Sequence, residues 1–97
     1  MKYLVILHAA DQLQPLDHAR FRRTAEEAGE LVDGQLLADP SLGTRLGTCG
    51  APIHAYYLLD VESSARAVEL ARLLPEATQE GAGVDVRPVM FAAAADY

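Results

Sequence analysis

Three histidines, an aspartate two residues before an arginine, and a pair of adjacent tyrosines carry the chemical possibilities of this chain. His8, His54 and Asp85 fall in three short apolar runs: KYLVILH (2–8), IHAYYLLDV (53–61) and VDVRPVMF (84–91). Side chains alternate between the two faces of a strand, so each run divides into two phases. One phase of each is free of charge: Tyr3, Val5, Leu7; then Ile53, Ala55, Tyr57, Leu59, Val61; then Val84, Val86, Pro88, Met90. His8, His54 and Asp85 occupy the other phase, together with Tyr56 and Arg87. With His8 between Asp85 and His54, that face holds an acid–base site. A carboxylate fixes the imidazole tautomer and raises its basicity, and a second histidine passes or accepts a proton near neutral pH. The candidate catalytic residues are therefore His8 as base with His54 and Asp85 in support. Arg87 is placed to hold an enolate, phenolate or carboxylate, and Tyr56 and His18 to contact a substrate.

Each residue also has a plainer reading. A histidine at a strand end commonly serves as a surface or interface residue, Asp85 and Arg87 can pair across the dimer, and adjacent tyrosines usually belong to a core. A metal site from His8, His54, His18 and Cys49 matches no tight zinc spacing. Cys49 has no visible activating partner. Neither a metal nor another cofactor is expected.

The elements that must position these groups follow from the pattern of the chain. Lys2–His8 reads as a first strand, and Asp11–Gln14 as a polar loop. A helix follows from Pro15 to about Ala28, with Phe21, Ala25 and Ala28 on one face and Gly29 as its stop. Leu31–Ala38 reads as a short strand interrupted by a turn at Asp33-Gly34. Asp39–Pro52, rich in Gly, Thr, Ser and Pro, is a loop. After the third strand, Ser63 or Ser64 caps a second helix bearing Ala67, Leu70, Ala71 and Leu74 at helical spacing, and Pro75 ends it. Gln79–Gly83 is a turn, the fourth strand is Val84–Phe91, and Ala92–Tyr97 is a tail.

The order βαββαβ with right-handed crossovers gives an antiparallel sheet ordered 4-1-3-2 with both helices on one face. The two most apolar runs then lie at the centre, and Pro88 falls on an edge strand, where proline is tolerated. The helices cover the charge-free phase. The mixed phase is left open, rich in apolar area at Leu4, Ile6, Leu58, Val89 and Phe91, and a second copy of the sheet is its simplest cover. A homodimer packed sheet to sheet is expected.

At 97 residues the chain is read as one domain, 1–97. A net charge of −6 argues against a nucleic-acid partner, since binding a phosphate backbone rests on Lys and Arg. The single cysteine suits a reducing compartment. The N-terminal apolar run is too short for a membrane span, so a cytoplasmic protein with no membrane partner is expected.

MKYLVILHAAD, the helix closing in EEAGELVDGQLL, YYLLDVESSARAVELARLLPEA and the terminal VDVRPV together resemble the YCII-related superfamily, and most of all its DGPF branch. The resemblance covers nearly the whole chain. It implies a ferredoxin-like α+β unit assembled as a dimeric α/β barrel. The DGPF tetrapeptide itself is absent, and Thr48-Cys49-Gly50-Ala51-Pro52 stands in its place. The YCII branch carries a His–Asp dyad, with its histidine on the first helix and its aspartate before a proline that follows the second. His18 lies near the first position, but Leu74 precedes Pro75, so the acid is read as missing and a relocated site is expected.

What the resemblance implies for function includes cofactor-free lyase chemistry on chlorinated hydroxyhydroquinone rings, and, in the DGPF branch, association with extracytoplasmic-function sigma factors. The sequence thus points to a cofactor-independent lyase, isomerase or cyclase acting on a small, partly apolar organic molecule. A non-catalytic dimeric binding or regulatory module is the alternative. A cofactor-free oxygenase on a related barrel is the third.

Overall fold

The computed structural model describes residues 1–9, 17–48, 50 and 52–90. The sequence readings of the loop at 11–14, of Pro15, Cys49 and Phe91, and of the tail at 92–97 lie outside these residues. Four antiparallel strands, β1 (Lys2–Ala9), β2 (Leu31–Leu36), β3 (Ile53–Asp60) and β4 (Ala82–Pro88), form one sheet in the order β2-β3-β1-β4. This is the expected order. Two helices, α1 (Ala19–Glu27) and α2 (Ser64–Ala71), complete an α+β arrangement compatible with a ferredoxin-like fold. No helix among the described residues is long and apolar enough to cross a membrane.

The core follows from strand phase and helix period acting together. Tyr3, Val5 and Leu7 of β1 and Ala55, Tyr57 and Leu59 of β3 are buried beneath Phe21 and Ala25 of α1 and Ala67, Leu70 and Ala71 of α2. Each fully buried Leu or Phe contributes about 1.5–3 kcal/mol before entropic costs. Val84 and Val86 of β4 pack at the margin of this cluster. Met90, assigned to the same phase, is 94% exposed. Its strand ends at Pro88, which has no N–H to continue a ladder.

Both helices are bounded by local chemistry. Glu30 N–H bonds Ala25 O at 2.8 Å and Gly29 N–H bonds Glu26 O at 3.0 Å. This is a Schellman closure that requires Gly29 at its positive φ of 70°. Ala28 caps the helix exposed, outside the apolar face assigned to it. Ser63 caps α2, its hydroxyl accepting from Arg66 N–H at 3.2 Å. Arg66 then reaches the Glu30 carboxylate through Nε and Nη2, tying the start of α2 to the exit of α1.

Two features depart from the sequence reading. Asp33-Gly34 does not turn the chain, because β2 runs through it. Gly34 pairs with Tyr57, and a Cβ placed there would lie 2.3 Å from Tyr57 Cδ1. The glycine marks the place where an aromatic ring closely approaches the neighbouring backbone. The second departure is in β3. Leu7 pairs with Ala55 but His8 pairs with Ile53, so His54 is an extra residue on its strand. Such a bulge breaks the period-two alternation and re-aims a side chain.

Candidate functional site

The bulge decides where the histidines go. His8 pairs with Ile53, and Ile6 pairs with Asp85, which keeps His8 and Asp85 on the open side of the sheet. There His8 Nε2 lies 3.0 Å from Asp85 Oδ2, and its Nδ1 lies 3.2 Å from the carbonyl oxygen of Pro52. Both partners are acceptors, so a neutral ring donates to one of them at a time and only an imidazolium donates to both. His54 does not join them. Turned by the bulge toward the helices, it places Nε2 2.7 Å from Glu76 Oε2. Of the three residues placed at one mouth by strand phase, the structure brings two together and sends the third to the other face.

His54 meets His18 instead. His18 stands at the N-cap position of α1, where the chain enters the helix and Arg22 N–H bonds its carbonyl at 2.9 Å. Its side chain turns inward and is only 7% exposed. Nε2 lies 2.6 Å from Glu76 Oε2, and Nδ1 lies 2.8 Å from the hydroxyl of Tyr57. The two imidazoles stack with centroids 6.4 Å apart and planes inclined by 19°. Tyr57 meets His18 edge-on at 5.6 Å and Phe21 at 4.7 Å, so the polar cluster is walled by the core.

Glu76 is the residue that the sequence reading missed. The acid read as absent before Pro75 stands directly after it. Pro75 opens a short 3₁₀ turn, Pro75–Ala77, whose N–H groups close back on Leu74 and Pro75. This turn carries Glu76 under the sheet, where it is fully buried. The available signal was the proline itself: a residue that ends α2 also suits the first position of a new turn.

The protonation pattern follows from the hydrogen bonds. Burial pushes the Glu76 carboxyl upward, but bonds from His18, from His54 and from its own backbone outweigh this, and the group is held below its ordinary value of 4.5. An ionised carboxylate only accepts, so both histidines donate to it from Nε2. In its neutral form, His18 then accepts from Tyr57 at Nδ1. Burial raises the pKa of that hydroxyl above its ordinary 10.0, with Arg22 acting in the opposite direction and Glu76 in the same one, and the phenol keeps its proton. Among the described residues two buried side-chain atoms are left unpartnered: His54 Nδ1 and Glu76 Oε1. In the neutral tautomer that donates from Nε2, His54 presents a bare lone pair at Nδ1 while a carboxylate holds the other nitrogen.

The remaining candidates are dispersed. Tyr56 pairs with Ile6 and places its hydroxyl 3.4 Å from Asp33 Oδ2. Arg87 pairs with Leu4 across β1, so β1 lies between it and Tyr56 and the two are not neighbours. A separate cleft of about 430 Å³ lies between the loop Leu37–Arg45 and Pro52-Ile53, one residue along the chain from His54. Comparison of the chain with protein-family models, curated proteins and solved structures gives no match. The reading of the site therefore rests on its geometry.

Proposed function

We propose that the protein is a cofactor-independent lyase, isomerase or cyclase that works on a small, partly apolar organic molecule by histidine-centred acid–base chemistry. The observation that carries this reading is Glu76 Oε2 accepting from both His18 and His54 while His54 Nδ1 has no partner. In this arrangement the carboxylate fixes the His54 tautomer and stabilises the imidazolium that forms when Nδ1 takes a proton. His18 anchors the carboxylate from the other side, itself oriented by Tyr57. His8, held between Asp85 and the Pro52 carbonyl, joins β4 to the end of the β2–β3 loop, and the base role falls to His54, whose Nδ1 has no partner. The chain acts as a DGPF-like homodimer, with Leu4 and Ile6 of the open sheet face against a second copy as half of an α/β barrel, while Leu58 on the same phase is already buried within the chain.

Imidazole ¹⁵N spectra test the tautomer without a substrate, and a protonated His54 Nδ1 in the resting protein refutes the assignment. Turnover is sought first among hydroxyhydroquinone-type rings, as the resemblance suggests. With an active compound in hand, His54→Gln lowers kcat by about 10²–10⁴-fold, the scale for loss of a positioned proton-transfer group. Full activity in that variant refutes the reading. The cleft beside Pro52 and Ile53 favours a second reading, a binding or regulatory module whose ligand sits apart from the buried histidines.

A further inference from the structure

We propose that His18, His54 and Glu76 also form a three-ligand site for a divalent transition-metal ion of the zinc class, and that this ion competes with the resting hydrogen-bond pattern. One donor atom from each residue lies within 4.8 Å of the other two. Two imidazoles and one carboxylate make the borderline set that selects zinc, cobalt, nickel or copper over magnesium and calcium. The second carboxylate oxygen, Glu76 Oε1, is buried without a partner, free to take a further coordination position or to bind a water on the metal. An outer shell is present as well. Metal-bound histidines usually fix their other nitrogen by a hydrogen bond, and His18 Nδ1 already faces Tyr57 Oη at 2.8 Å.

The balance of protons is simple. With bonds of about 2.0–2.2 Å to the metal, tetrahedral ligands stand about 3.3 Å apart, so the contacts of 2.6 and 2.7 Å open by roughly 0.6 Å. Each neutral imidazole gives its Nε2 lone pair to the metal and carries its proton on Nδ1, with no net release. His18 Nδ1–H then donates to Tyr57, whose hydroxyl changes from donor to acceptor. His54 Nδ1, the lone pair assigned above as the base, becomes protonated. Metal occupancy and the acid–base state therefore exclude one another. The cation site shares residues with the proposed function but does not rest on catalysis.

The test uses the whole chain, stripped with a chelator, and Co²⁺ as the probe. One Co²⁺ binds per chain with visible ligand-field absorption, and Zn²⁺ displaces it. Glu76→Gln and His54→Gln each weaken binding by at least about 100-fold, and Tyr57→Phe by about 10–100-fold, the usual cost of an outer-shell loss. His8→Gln leaves binding unchanged. Should the site variants fail to fold, ¹⁵N spectra of the wild type decide, because Zn²⁺ shifts Nε2 of His18 and His54 together. Folded wild type without absorption at stoichiometric Co²⁺ overturns the site, as does coordination through Nδ1 or unchanged affinity in both ligand variants. Absence of binding with His54 still essential for turnover removes the cation site alone. Binding with His54 dispensable removes the acid–base reading alone.

Discussion

Truncating Glu76 to alanine removes the acceptor shared by two buried imidazoles. His18 and His54 each donate to Glu76 Oε2, at 2.6 and 2.7 Å, His18 from a position almost closed to water and His54 from a partly buried one. A buried donor left without a partner costs about 1–3 kcal/mol, so two cost about 2–6 kcal/mol, and the vacated space adds to this. Relief from burying a carboxylate offsets part of it. A net loss of about 3–4 kcal/mol is expected, a large share of the ~5–15 kcal/mol that holds a small domain together. Glu76→Gln keeps the shape and one acceptor. Its carbonyl oxygen in the place of Oε2 still accepts from both rings, and its amide N–H₂ takes the place of the unpartnered Oε1. Only charge assistance is lost, about 1–2 kcal/mol. Urea titrations at constant m-value measure both, and the expected order is alanine well below glutamine below wild type. If alanine falls within about 0.5 kcal/mol of wild type, Glu76 is not holding the imidazoles. If glutamine costs as much as alanine, the shared oxygen is not what holds the two rings.

Gly34→Ala drives a methyl group into the Tyr57 ring, which is buried and cannot swing clear, so a loss of about 1–3 kcal/mol is expected as a lower Tm; an unchanged Tm refutes the contact. Sedimentation equilibrium of the wild type at micromolar concentration is expected to give a dimer, weakened by Leu4→Lys on the open face, and a monomer sinks the sheet-to-sheet arrangement. Asp60, paired with Lys2 and the N-terminal amine at 3.0 Å each, is held below its ordinary 3.8 by those bonds. Its contribution is present above about that pH and fades as the medium becomes more acid, so Asp60→Asn flattens the acid limb of the stability curve. An identical acid limb in the variant contradicts the pairing.

The order of the sheet was legible because apolar phase and a single proline agree. Two runs suit the centre, and Pro88 can stand only at an edge. The exit of α1 and the start of α2 were legible too, since Gly29 and Ser63 act through bonds made within a few residues, whereas α1 begins at Ala19 and not at Pro15. The site was much less so. Strand phase places His54 beside His8 only if alternation is unbroken, and the bulge that breaks it depends on how β3 pairs with β1, a relation between segments more than forty residues apart. Asp33-Gly34 has the composition of a turn, and only the ring of Tyr57 across the ladder explains why it is strand. Glu76 escaped notice because a glutamate after a helix-ending proline resembles surface. Its burial depends on two histidines contributed from distant parts of the chain.

The extra residue in β3 makes the site unusually sensitive to length and comparatively indifferent to composition. Removing a single residue at the start of that strand restores regular alternation and swings an imidazole from one side of the sheet to the other, with every strand still in place. The same backbone can thus present its histidines as a buried triad with Glu76, or as an open-face row with His8 and Asp85. One codon of insertion or deletion separates the two. Relatives of this chain would then be sorted better by counting residues between Pro52 and Tyr57 than by asking whether a histidine is present. A change of chemistry in such a lineage need leave no trace in the core at all.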